Sequence, residues 1–217
     1  AYVRRQRQMC IRDRKGFICL KKNKDILIAT SNKGKVNEFI KLFDDYNILS
    51  LVDLTIDDAI EDGTSFLENA LIKAKHGSFH SGKYTIADDS GLVVPGLDYE
   101  PGIFSARYAG NNASDEDNRD KIIQKLNELS LEDLDAYYVC CLVGIKNFND
   151  PMPLISYGKI NGKVSINSSG EGGFGYDKIF YPDGFDCSMA SIDVQIKNKI
   201  SHRAIAVMNF IDKFKNF

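Results

Sequence analysis

Three carboxylates in this chain stand where acid–base and hard-cation chemistry would want them. Asp88 and Asp89 are adjacent and run into Ser90-Gly91, and Glu61 precedes Asp62-Gly63-Thr64. Neighbouring carboxylates repel unless a cation offsets them, so a divalent metal is a natural partner. Mg²⁺ takes one or two protein carboxylates and fills its shell with water and phosphate oxygens. A solvated Asp-Gly type turn would use the same residue types. Upstream, Thr30-Ser31-Asn32-Lys33-Gly34-Lys35 separates an apolar run from an amphipathic one. Backbone amides at a helix N-terminus, small hydroxyls and two lysines suit a phosphate cradle. An ordinary polar cap would look similar. It is not a P-loop, which would need Gly in place of Ala29 and Ser or Thr in place of Val36.

Asn69 and Lys73, next to Glu68, are four apart on one helical face and can reach the same phosphate. In Gly170-Glu-Gly-Gly-Phe-Gly-Tyr-Asp177 the glycines allow close backbone approach, and Phe174 or Tyr176 offers a face for a base. Lys197 and Ser201-His202-Arg203 form the last group. Ser201 as N-cap puts two cationic side chains in a first turn, against the helix dipole, where both can donate to a carbonyl oxygen. Each of these groups also has a bland alternative, as a solvated helix face or a tight connection.

The elements that must position these groups follow from periodicity. Asp25–Thr30 reads as a buried strand, and 34–44 as a helix with Val36, Phe39, Ile40 and Phe43 on one side. Residues 46–54 read as a second strand. Ser65-Phe-Leu-Glu68 is a capping box opening a helix to about Ser78. Tyr84–Ala87 reads as a short strand ending at the Asp88-Asp89 pair, with Leu92–Leu97 as a separate one. Ser114 caps a helix carrying Ile122, Ile123, Leu126 and Leu129. Residues 136–145 and 154–164 read as paired long strands, Lys178–Tyr181 as a short one, and a final helix from Ser201 carries Ala204, Val207, Met208 and Ile211 on one face. Early helix–strand alternation followed by long paired strands implies an α/β fold with a mixed sheet.

Composition is that of a globular protein, with 43% hydrophobic and 27% charged residues. The net charge of −2 is uneven: residues 1–24 carry +8, which leaves residues 25–217 at −10. So acidic a body disfavours a stable nucleic-acid partner. The basic N-terminal extension, 1–24, reads as non-native or disordered, and residues 25–217 as one domain. No apolar run reaches membrane-spanning length, and no membrane association is expected. Five cysteines without a C-x-x-C pair argue against a disulfide framework or zinc site, and Cys140 and Cys141 should face opposite ways on a strand.

The order of these segments is more telling than any one of them. TSNKGK (30–35), EDGTSFLENALIKA (61–74), ADDSGL (87–92), PGIFSARYAG (101–110), GGFGYD (172–177) and ISHRA (200–204) together resemble the inosine triphosphate pyrophosphatase family, the XTP/dITP diphosphatases, from about Asp25 to the C-terminus. The resemblance implies an elongated two-lobed α/β fold with a long mixed sheet flanked by helices and the active site in the cleft between lobes. It also implies a cytoplasmic, Mg²⁺-dependent homodimer acting on non-standard purine nucleoside triphosphates (ITP, dITP, XTP), with monophosphate and pyrophosphate as products. Carried over motif by motif, Thr30, Ser31, Asn32, Lys33, Gly34 and Lys35 would hold the triphosphate with Lys73. Asp89 would be catalytic and, with Glu61, bind metal, with Asp88 close by. Ser90 would touch substrate; Phe174, Gly175, Tyr176 and Asp177 would hold base and sugar; Lys197, His202 and Arg203 would read the purine. Arg107 is a further candidate. The family commonly has Pro where this chain has Lys178, and residues 1–24 have no family counterpart. Rival readings are a Maf-like pyrophosphatase for other modified nucleotides and a nucleotide-binding module without turnover; a nucleic-acid binder would rest on residues 1–24 alone.

Overall fold

The computed structural model describes residues 25–43 and 46–214, so the expectations for residues 1–24 lie outside it. Its elements run β1 (Asp25–Ile28), α1 (Lys33–Leu42), β2 (Asn47–Ser50), α2 (Phe66–Ser81), β3 (Tyr84–Val93), α3 (Asp115–Glu128), β4 (Asp133–Ile145), β5 (Leu154–Ser165), β6 (Phe180–Pro182), α4 (Val194–Ile200) and α5 (His202–Phe214). The strands form one six-stranded sheet in the order β2-β1-β3-β4-β5-β6. β2 and β3 lie parallel to β1, whereas β4, β5 and β6 follow antiparallel, so the mixed sheet is as expected.

Alternation along the strands sorts the core into layers. Ile26 and Ile28 of β1, Ile86 of β3, and Cys140 and Leu142 of β4 face one side, with Phe39 and Phe43 at α1 and Ala206, Val207 and Phe210 of α5. Leu27, Ala29, Ala87, Cys141 and Val143 face the other, with Ala70 and Ala74 of α2. The two cysteines thus point to opposite faces, as period-two geometry requires. A third cluster fills the far half of the sheet, where Leu92, Tyr138, Val164, Tyr176 and Phe180 meet Ile122 and Leu126 of α3.

Several expectations need correcting. Leu92 and Val93 do not start a new strand: β3 is continuous from Tyr84 to Val93, because β4 pairs with it from Thr85 through Val93. Asp88 and Asp89 therefore sit in mid-strand. The strand that stops is β1, whose last partner on β3 is Ile86; beyond it β3 borders a gap. β2 ends at Ser50, where the Asp53 carboxylate accepts both the Ser50 amide and hydroxyl (2.8 and 2.7 Å) and a 3-10 turn follows. Glu68 closes no reciprocal box. Ser65 caps the Glu68 amide, but the Glu68 carboxylate takes the amide and hydroxyl of Thr64 instead. Ile40 and Met208 are half exposed (50% each), so the buried stripes of α1 and α5 are narrower than their apolar patterns suggest. The short helix α4 was not anticipated.

One close approach matters for the site. Gly158 of β5 lies under the first turn of α5, and a Cβ there would run into the His202 carbonyl and the Ala206 amide. Gly158→Ala should push that turn away and cost about 1–3 kcal/mol. Thermal unfolding of the variant would check this, and an unchanged midpoint would show that α5 yields without strain.

Candidate active site

A cleft with about 890 Å³ of empty space, its mouth included, opens beyond the end of β1. Because β3 has no strand on its β1 side along this gap, side chains from both of its faces reach the cleft. Asp89 turns toward α2. Its carboxylate accepts from Lys73 Nζ at 2.8 Å and from Asn69 Nδ2 at 3.4 Å. Asn69 and Lys73 do share a target, and it is this carboxylate. Asn69 Oδ1 also accepts the Gly63 amide (2.9 Å), which ties the segment carrying Glu61 to α2. Glu61 meets the same Lys73 ammonium at 2.9 Å and faces Arg107 at 3.6 Å. Burial raises the Asp89 carboxyl from its ordinary value, against the pull of Lys73. Burial works against the Lys73 charge, yet Asp89, Asp88 and Glu61 together raise its pKa.

Asp88 turns the other way, with its side chain fully buried. One oxygen meets Lys35 at 2.9 Å and Arg203 at 3.2 Å and accepts from Ser90 Oγ at 3.0 Å; the other has no partner. Burial opposes its charge, but Lys35 and Arg203 hold its carboxyl well below the usual range. Arg203 is only 2% exposed. One of its amino groups pairs with Glu38, the other donates to Asp88 and to Ser90 Oγ (3.0 Å), and its Nε has no partner. Arg203 is thus held by Glu38, Asp88 and Ser90 while it lines the cleft with donors left over. His202 stacks on Tyr138, centroids 4.7 Å apart and planes 7° apart, with Nδ1 buried and unpartnered. Burial and the neighbouring Arg203 push its pKa well down, so the ring is neutral.

At the other end of the cleft, Phe174 has Lys197 Nζ 5.4 Å and the Arg203 guanidinium 5.9 Å from its ring centroid. Asp177 accepts the Phe174 amide at 3.0 Å and Lys197 Nζ at 2.7 Å, which fixes loop and lysine together. Tyr176 lines the cleft but is buried, its hydroxyl donating to the Ser105 carbonyl at 2.7 Å. Phe174, half-buried, is the aromatic left to offer a face.

The cradle at 30–35 is brought together only in part. Asn32 and Lys35 line the cleft; Thr30, Ser31, Lys33 and Gly34 do not. Thr30 Oγ1 accepts the Asn32 amide (3.2 Å), Ser31 binds Asp58, Lys33 is exposed, and Gly34 packs against the Phe174 ring. The reason is angular: α1 begins at Lys33, and residues two apart on a helix diverge by about 200°, so Lys33 and Lys35 cannot both face inward. Ser90, Lys73, Gly175, Asp177 and Lys197 all line the cleft, as does Arg107. Glu38 was missed, although it stands three residues after Lys35 on α1 and so shares its face. Asp115 was missed as well, having been read only as the start of a capped helix.

Among the described residues no group of three or more His, Cys, Asp or Glu could hold a metal. Glu61 and Asp89 nonetheless form a pair of carboxylates converging on one cation, a donor set that fits Mg²⁺ bound mainly by water and phosphate. Asp88, on the opposite face and neutralised by Lys35 and Arg203, is not part of that pair.

Residues 26–213 match the model of the Ham1 family. A dITP/XTP pyrophosphatase of Legionella pneumophila (strain Paris) is 47% identical over 184 residues, covering 85% of this chain and 95% of that protein. Its counterpart in Haemophilus influenzae is 42% identical, covering 84% and 94%. Among solved structures, a HAM1 protein from Coxiella burnetii superposes with a TM-score of 0.82 at 36% identity, covering 89% of this chain and all of that one. A nucleoside-triphosphatase / dITP/XTP pyrophosphatase from Mycobacterium abscessus gives 0.68 at 31%, covering 85% and 97%. The sheet, the cleft and these relatives agree: the chain belongs to the Ham1 family.

Proposed function

We propose that the protein hydrolyses non-standard purine nucleoside triphosphates, dITP, ITP and XTP, to the monophosphate and pyrophosphate. The observation that carries this reading is a single cleft with two chemically different ends. Glu61, Asp89 and Lys73 gather charge at one, and Phe174, flanked by Lys197 and Arg203, offers an aromatic face at the other. Relatives named dITP/XTP pyrophosphatase over nearly their whole length support it.

Glu61 and Asp89 are the residues that would hold Mg²⁺. When bound, the ion supplies charge stabilisation at the phosphates and lowers the pKa of its water. Asp89 orients a water toward the α-phosphorus and takes its proton, which only the carboxylate form can do. Lys73 keeps Asp89 and Glu61 in place and, with Lys35 and Asn32, meets the triphosphate locally; local cations are needed because the body of the chain is acidic. Phe174 stacks on the base. Lys197, His202 and Arg203, which all line the cleft, read the ring, with Asp177 holding Lys197 and with Glu38 and Asp88 holding Arg203. A homodimer and a cytoplasmic location belong to the same reading; no helix among the described residues is long and apolar enough to cross a membrane.

The test is a panel of dITP, ITP, XTP, GTP and ATP with Mg²⁺, scoring pyrophosphate separately from orthophosphate. dITP, ITP and XTP should be cleaved to pyrophosphate, and ATP should be slower by about 10²-fold or more, because its 6-amino group leaves buried polar groups unpaired. Release of orthophosphate alone, full activity in excess chelator, or equal use of ATP would each defeat the reading.

A further inference from the structure

The glycine-rich loop is held by side chains rather than by a strand. Three successive amides, of Phe174, Gly175 and Tyr176, donate to the Asp177 carboxylate (3.0 Å), the Asp115 carboxylate (2.6 Å) and the Tyr138 hydroxyl (3.1 Å). Gly175 is gripped from its other end too, since Arg119 donates to its carbonyl at 2.8 Å. Asp115 and Arg119 stand four apart on α3 and so share one face. Asp115 lies in the first helical turn, where a carboxylate is favoured by the dipole. Gly175 has φ of +61°, a conformation that it holds without a side chain to lock it. With both polar groups of Gly175 fixed by α3, the peptide joining it to Phe174 has little freedom, and the Phe174 ring inherits that constraint.

Resting on the pyrophosphatase reading, we propose that Asp115 and Arg119 are positioning residues, a two-point clamp by which α3 sets the Phe174 ring to receive the purine. Arg119 does not line the cleft and acts only through the loop. The clamp therefore governs binding of the base, while Asp89, Glu61 and Lys73, carried on other elements, are left as they are.

Four variants of the full chain test this: Arg119→Ala and Asp115→Ala, each beside its conservative partner, Arg119→Lys and Asp115→Asn. Two measurements are made on each, steady-state pyrophosphate release from dITP with Mg²⁺ and amide hydrogen exchange along the loop. Losing one charged hydrogen bond to Gly175 should raise KM about tenfold with kcat within about twofold of the parent, the pattern of lost ground-state binding. Asp115→Asn keeps an acceptor oxygen and should restore KM; Arg119→Lys should restore it in part. Exchange at Phe174 to Tyr176 should quicken while the sheet amides stay protected. In a Phe174→Leu background, Arg119→Ala should add less than about a twofold effect, since coupled residues are not additive. The proposal is overturned by an unchanged KM in Arg119→Ala, by a loss confined to kcat, or by full additivity with Phe174→Leu. Should the parent release no pyrophosphate from dITP, the functional reading fails first, and the exchange comparison then decides the clamp alone, with unchanged exchange at Gly175 overturning it.

Discussion

Asp89→Asn should lower kcat for dITP by roughly 10²–10⁴-fold while leaving the protein close to its parent in stability at neutral pH. The first half follows from the proton: an amide cannot accept it from the attacking water. The second follows from burial, which raises the Asp89 carboxyl above its ordinary value despite Lys73. A carboxyl whose folded pKa is raised favours folding in its protonated form. Its ionisation above that pKa weighs against the native state, and the penalty is relieved as pH falls through it. Asparagine removes the penalty together with one anionic partner of Lys73, and Glu61 remains to pair with that ammonium at 2.9 Å. Activity should fall toward acid as Asp89 takes up a proton and can no longer accept one from water. Turnover, thermal unfolding and a pH–rate profile decide the matter. Near-parental turnover would remove Asp89 from the chemistry, and a large drop in unfolding temperature would show that it serves the fold instead.

Arg203→Met should be the most destabilising change at the site, by about 3–5 kcal/mol, because it strips one partner from a buried ionic network. Asp88, fully buried, would keep Lys35 and the Ser90 hydroxyl, and Glu38 would keep Lys197 at 3.9 Å. For a domain of this size that is a fall of roughly 6–20 °C in the unfolding midpoint. The pH signature is opposite to that of Asp89. The Asp88 carboxyl is depressed in the fold, so it stabilises at pH above the unfolded value of 3.8 and loses that contribution as pH falls below it. Without Arg203 the depression shrinks, and the variant's deficit should be largest at neutral pH and narrow toward acid. A midpoint within a degree or two of the parent, flat across that range, would mean that the network contributes nothing to stability.

How much of this was legible in the sequence depended on the range of the interaction concerned. Helix starts at Ser65, Ser114 and Ser201 could be read because a cap and its amide lie within three residues. β4 and β5 could be read from their own alternation. The Asp88-Asp89 pair was found by residue type but misplaced at a strand end, since only pairing with β4, some fifty residues on, shows that the strand continues. Arg203 was found, but its partners were not. Glu38 lies 165 residues away in the chain, and nothing local marks it as the acid that takes up a guanidinium. Phe174 and Tyr176 looked equivalent in sequence; what separates them is a hydroxyl anchored 71 residues upstream. Thr30 to Lys35 showed the right composition, yet the cleft uses only the side chains that the pitch of α1 turns inward.

Two chemically identical amino acids side by side on β3 have ended up as unlike reagents. One is held as an anion by Lys35 and Arg203 on the α5 side, and the other, on the α2 side, has its carboxyl raised by burial against the pull of Lys73. Nothing but the parity of a pleated chain assigns these parts, and no point substitution could trade them. A shift of the strand by a single position would hand the place beside Lys73 to the neighbour and send Asp89 into the arginine's grip. Tolerance along this stretch should therefore depend on phase: bulk and polarity can vary, but an odd insertion or deletion ahead of the pair cannot be absorbed.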